Sequence, residues 1–181
     1  MLNKDQQQKL LKIARTTIAE YMRTGEKARV QETDPALNEQ QGAFVTLHIN
    51  GELRGCIGNI IGDAPLAQTI ANMAVEAGFG DPRFNSLQDN ELDKIDIEIS
   101  VMSPLEKIKD PEKIEPGKHG ILLRKGFNSG LLLPQVATEY NWGREEFLDH
   151  TCLKAGLKEG EWHTPGVEIY IFSAEVFGEK T

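Results

Sequence analysis

The chain has 181 residues, 39% of them hydrophobic and 27% charged, with a formal net charge of −8. That length suits one domain, at most with a small second lobe, and such a chain buries enough core to need neither disulfides nor a structural metal. The acidic balance argues against a dedicated nucleic-acid binder, whose affinity rests on Lys and Arg against phosphate, and against docking on an anionic membrane surface.

In chain order, residues 3–24 carry Leu10, Ile13, Ala14, Thr17, Ile18 and Tyr21 at three- and four-residue steps, which predicts an amphipathic helix. Asn3 and Gln6 have capping-box spacing, and Gly25 is a suitable stop. Residues 26–42 are polar, hold Asp34-Pro35 and read as a loop. Gly42 to Ile49 reads as a strand, Asn50-Gly51 as a two-residue type I′ turn, and Glu52 to Ile57 as the returning strand. Gly58 to Gly62 reads as a loop, with Asp63 as N-cap of a helix running to about Gly78. Gly80-Asp81-Pro82-Arg83-Phe84 breaks that helix, and Asp89 to Asp93 suits a short helical turn.

Ile95, Ile97, Ile99 and Val101 alternate with Asp96, Glu98, Ser100 and Met102, the pattern of a half-buried strand. Residues 104–118 hold three prolines and read as loop with a helical turn. Gly120 to Lys125 and Leu131 to Leu133 read as short strands, Pro134 to Tyr140 and Arg144 to Ala155 as helices, and Gly156 as the stop of the second. Val167 to Phe177 reads as a final strand region. Interspersed strands and helices that include an antiparallel hairpin predict an α+β protein rather than a doubly wound parallel one.

The two-residue turn predicts a register in which Leu47 faces Arg54 and Val45 faces Cys56, so that Arg54 and Cys56 share one face of a hairpin covered on both sides. A guanidinium beside a thiol favours the thiolate, the physical case for Cys56 as nucleophile with Arg54 as its activator or as an anion clamp. Gly55 and Gly58 would admit a substrate or another backbone. From the residues alone the plainer reading is that Cys56 is a small buried hydrophobe, with Arg54 in a structural ion pair.

Other residues offer less. His119, in Gly117-Lys118-His119-Gly120, is a candidate base if it meets the thiol, or a loop-bonding histidine. Asp81 and Arg83 form either a rigid substrate-contacting turn or a closed turn anchored by Phe84. Gln135, at a helix start, can present an amide to a cleft. His150 and Cys152 point to different faces of their helix, and no HExxH or zinc-type cysteine spacing is present, so no metal is expected. The 55–62 segment lacks GxxxxGK[ST], and Asp63 at the helix start would repel a phosphate, which argues against nucleotide binding there. Cys56 and Cys152 stand far apart, the first eight residues contain no apolar run, and no segment approaches the roughly 20 apolar residues of a membrane span. A cytoplasmic location, without membrane attachment, is the expectation.

Leu53-Arg54-Gly55-Cys56-Ile57-Gly58, Asp81-Pro82-Arg83-Phe84, Gly117-Lys118-His119-Gly120 and Leu133-Pro134-Gln135-Val136-Ala137 occur in one order, followed by Trp142, Glu146-Phe147-Leu148 and Cys152-Leu153-Lys154-Ala155-Gly156-Leu157. Over about residues 5–178 this series resembles the AMMECR domain family, and most of all its bacterial and archaeal branch, called AmmeMemoRadiSam system protein A. The resemblance implies a compact α+β fold with helices packed on an antiparallel or mixed sheet, no firmly assigned activity, and a functional role for Arg54, Gly55, Cys56 and Gly58; no cofactor is expected. It also implies work alongside Memo-like and radical SAM proteins. Asn59 stands where the family commonly has Thr or Ser, so a mechanism needing a hydroxyl there is not supported. Two readings follow: a cysteine-dependent enzyme or modification factor acting on a small molecule or protein, or a non-catalytic binding protein with Cys56 structural. A homodimer is open.

Overall fold

The computed structural model describes residues 1–180. Among the described residues, four α-helices and two antiparallel four-stranded sheets give an α+β fold. The chain divides into two compact units, one made of Met1–Met102 with the segment from Glu175 onward, the other of Ser103–Ala174.

In the first unit, α1 (Lys4–Thr24) starts at a capping box between Asn3 and Gln6 and stops at Gly25, which has φ 73°. Its apolar stripe, Leu10, Leu11, Ala14 and Ile18, meets α2 (Leu66–Val75) and one face of a sheet. That sheet has the order β2-β1-β3-β8, with β1 Ala43–Ile49, β2 Glu52–Asn59, β3 Ile95–Met102 and β8 Ala174–Gly178. Ala43, Val45, Leu47, Ile97 and Ile99 are fully buried beneath the helices. On the other face Phe44, Thr46 and His48 are half-buried and Leu53 is 42% exposed, so the hairpin is tightly covered on one side only.

The turn at Asn50 and Gly51 takes positive φ at both residues, as a type I′ turn requires. The expected register breaks just beyond it. His48 pairs with Leu53, but Leu47 pairs with Gly55, leaving Arg54 as the extra residue of a β-bulge. The insertion moves every later side chain of β2 to the opposite face. Cys56 therefore pairs with Thr46 rather than Val45, on the half-buried face, and does not share a face with Val45 and Leu47.

Asp63 does not cap a helix. α2 begins at Leu66 with Pro65 in the cap position, so that part of the case against phosphate falls away, while the missing P-loop sequence remains. After Val75 the helix widens into a π turn over Glu76–Gly80, ending in the extended Asp81. The 167–177 region is two strands, β7 (Glu168–Phe172) and β8, which belong to different sheets. No described helix is long and apolar enough to cross a membrane.

The second unit has a sheet of order β4-β7-β5-β6, with β4 Glu106–Ile108, β5 Gly120–Lys125 and β6 Asn128–Leu132. Helices α3 (Pro134–Glu139) and α4 (Arg144–Lys154) contribute Ala137, Phe147 and Leu148 to its core with Ile121, Ile169 and Ile171.

Candidate functional site

The site grows from Gly55. A Cβ built there would lie 2.0 Å from the Ala77 carbonyl oxygen, so only glycine lets the π turn lie against β2. That close approach carries the following Asp81-Pro82-Arg83-Phe84 turn along the free edge of β2. Asp81, 5% exposed, accepts the backbone N–H of Cys56 at 2.9 Å. Arg83 grips the same carboxylate through Nε at 3.0 Å and Nη2 at 2.7 Å, and Nη2 also donates to the Cys56 carbonyl at 3.3 Å. Both outward-facing backbone groups of Cys56 are thus held by one acid–base pair. Arg83, ahead of the two backbone N–H donors from Cys56 and Arg83, holds the Asp81 carboxyl far below the usual carboxylate range, against burial, which would raise it.

The thiol itself is half-buried and free. Thr46 Oγ1 donates to Cys56 Sγ at 3.2 Å from the neighbouring strand. The cation that touches Cys56 is Arg83, through the backbone carbonyl, and Asp81 raises the ionisation of that guanidinium. Arg54, expected in that role, is bound elsewhere. Its Nε and Nη2 make a two-pronged ion pair with Glu91 at 2.8 and 2.9 Å, and Glu91 also accepts the Gln88 N–H at 2.9 Å. Arg54 in turn holds the Glu91 carboxyl below its usual range. Phe84 lies under both guanidinium groups, 5.9 Å from that of Arg54 and 5.6 Å from that of Arg83.

Of the residues picked from sequence, the structure gathers Arg54, Gly55, Cys56, Gly58, Asp81 and Arg83 in the first unit. Gly58 is forced too, since a Cβ there would meet the Phe44 ring at 2.3 Å. His119 and Gln135 belong to the second unit. His119 Nδ1 accepts the Glu115 N–H at 3.2 Å, a loop-closing role, and Gln135 is exposed at the first turn of α3. Sequence reading missed Thr46 and Glu91. The Gln88–Glu91 capping spacing signals a helix start, but nothing local links Glu91 to Arg54, 37 residues away. No group of three or more His, Cys, Asp or Glu side chains among the described residues is arranged to hold a metal. The arrangement can present one oriented sulfur, with a hydroxyl donor across the strand and a guanidinium at the edge, to a reactant on the half-buried face.

A family model described as AMMECR1 matches residues 11–177. The chain is 44% identical over 180 residues to Protein MK0488 of Methanopyrus kandleri, covering 94% of this chain and 87% of that one. It is 42% identical to Protein Mbar_A1807 of Methanosarcina barkeri, covering 94% and 88%. The crystal structure of the uncharacterized protein PH0010 from Pyrococcus horikoshii is similar with a TM-score of 0.80 at 40% identity, covering 94% of this chain and 90% of that one.

Proposed function

We propose, for a chain that belongs to the AMMECR1 family, that it is a cysteine-dependent enzyme or modification factor with Cys56 as its nucleophile. The observation that carries this reading is the threefold fixing of Cys56: N–H to Asp81, carbonyl to Arg83, sulfur to Thr46. A merely space-filling cysteine needs no hydroxyl at its sulfur and no ion pair at its backbone. A nucleophile gains from both, because a held sulfur loses less freedom on reaching the attacking geometry. The reactant is a small molecule or a protein side chain with an electrophilic centre. The family resemblance adds Memo-like and radical SAM proteins as partners, which co-purification of the three proteins checks.

Partial labelling with iodoacetamide tests the nucleophile. Cys152 is fully buried, and burial pushes its thiol up. Peptide mapping should find the first label on Cys56. Label on Cys152 first, or on neither cysteine, overturns the reading.

One observation favours the alternative, a non-catalytic binding protein. Arg54 and Arg83 are both already occupied by internal carboxylates. In that case Cys56→Ala leaves partner capture intact.

A further inference from the structure

The sheet places a second set of groups beside Cys56. Ile95, Ile97, Ile99 and Val101 of β3 enter the core, so Asp96, Glu98 and Ser100 stand on the opposite face with Phe44, Thr46 and His48 of β1. The two registers align these residues in rows across β2, β1 and β3. Leu53, His48 and Asp96 form one row; Cys56, Thr46 and Glu98 form the next. His48 is directly opposite Asp96, and Cys56 lies one row away on the adjacent strand. Such diagonal neighbours have Cα atoms roughly 7–8 Å apart, within reach of a long side chain.

The side chains in these rows are short of partners. Asp96 Oδ1 is buried without a hydrogen bond, and Oδ2 lies 3.6 Å from Lys180 Nζ. The His48 imidazole makes no hydrogen bond among the described residues. An imidazole N–H from His48, paired with Asp96 across the two strands, is the kind of donor that would satisfy the Asp96 oxygen.

We infer that His48 is the general base for Cys56 and that Asp96 is the residue that orients its imidazole. This rests on the reading of Cys56 as a nucleophile. In the step, the Cys56 S–H bond breaks and the proton passes to one imidazole nitrogen, while the other nitrogen keeps its N–H on Asp96. The sulfur retains the electron pair, and Thr46 donates to it. The resulting imidazolium stands against the Asp96 carboxylate, which also feels the cations of Arg15 from α1 and Lys180 beyond β8, with Glu98 from β3 and the Cys56 thiolate from β2 as the other charges nearby. Glu98, opposite Thr46, competes for the proton. An ordinary carboxyl, however, lies about four pKa units below an ordinary thiol and an imidazole only about two, so the imidazole is the better match. This constellation replaces His119 as the expected base.

The experiment is the rate of iodoacetamide reaction with Cys56, against pH, in a Cys152→Ser background. His48→Gln should slow the reaction at pH 7 about tenfold, and the difference should vanish above pH 10, where solvent ionises the thiol unaided. Asp96→Asn should slow it about threefold, with Asp96→Glu restoring most of the loss, and it carries the test if His48→Gln does not fold. A uniform fall at every pH would mark packing damage and overturn the assignment. An unchanged rate in His48→Gln, with folded Cys56 still faster than in the urea-unfolded chain, overturns His48 and leaves the nucleophile standing. If the folded chain is no faster than the unfolded one, the nucleophile reading fails, and the base with it.

Discussion

Asp81 accepts the Cys56 backbone N–H at 2.9 Å while its partner Arg83 donates to the Cys56 carbonyl at 3.3 Å, so one ion pair closes the sheet edge at the reactive residue. Removing the acid leaves the Cys56 N–H without its acceptor and Arg83 without its counter-charge. Hydrogen bonds to charged groups each contribute roughly 1.5–3 kcal/mol. The half-exposed Arg83 recovers part of its loss in water. Asp81→Ala should therefore cost about 2–3 kcal/mol in urea unfolding.

The same carboxylate makes the first unit acid-sensitive. Asp81 is held below its ordinary value of 3.8 in the folded chain. Its contribution is therefore complete above the ordinary carboxylate range and is lost as pH falls through that value and below it. Glu91, lowered chiefly by Arg54, acts in the same direction. Urea midpoints measured from pH 6 down to pH 3 should fall more steeply for the native chain than for Asp81→Ala. Parallel curves would remove Asp81 from the account.

Arg54 and Arg83 should behave differently under substitution. Arg54 and Glu91 are 15% and 22% exposed, and the pairing uses the planar fork that lysine lacks. Arg54→Lys should lose about 1–2 kcal/mol of stability. It should leave the Cys56 alkylation rate within about twofold, because Arg54 is committed to Glu91. Arg83→Gln should slow alkylation severalfold at pH 7, since it removes the cation that holds the Cys56 carbonyl and leaves the Asp81 charge behind.

Gly55→Ala should be among the most damaging single-atom changes in the chain. The added Cβ would lie 2.0 Å from the Ala77 carbonyl oxygen, a backbone atom that can move only if the π turn moves. The expected loss is at least about 2 kcal/mol in urea unfolding, in line with overpacked cores. Gly51→Ala, in open space at the hairpin turn, should be limited to backbone strain at φ 82°.

Much of this fold is legible in the sequence because its signals are local. Asn3, Gln6 and Gly25 bound α1, Asn50-Gly51 makes the hairpin, and the Ile95–Val101 alternation gives β3 its faces. The site was only half legible for a matching reason. A single bulge at Arg54, which no turn chemistry announces, reverses the faces of the residues after it and parts Cys56 from Arg54. The Thr46–Cys56 bond and the His48–Asp96 opposition depend on strand pairing, and the Arg54–Glu91 pair on where the Asp89–Glu91 turn packs. The turn spacing misses the Thr46–Cys56 pairing by one residue, and no local signal marks the other two. The π turn after Val75 is indistinguishable from ordinary helix in the sequence because its apolar residues continue the helical stripe.

The most direct test of the central claim is the second-order rate of iodoacetamide with Cys56 at pH 7 in a Cys152→Ser chain, folded and then unfolded in urea. The unfolded chain supplies the intrinsic rate of the same thiol. Fixing by Asp81, Arg83 and Thr46 predicts that the folded chain reacts at least about tenfold faster. A folded rate equal to or below the unfolded one would contradict Cys56 as the nucleophile of this protein.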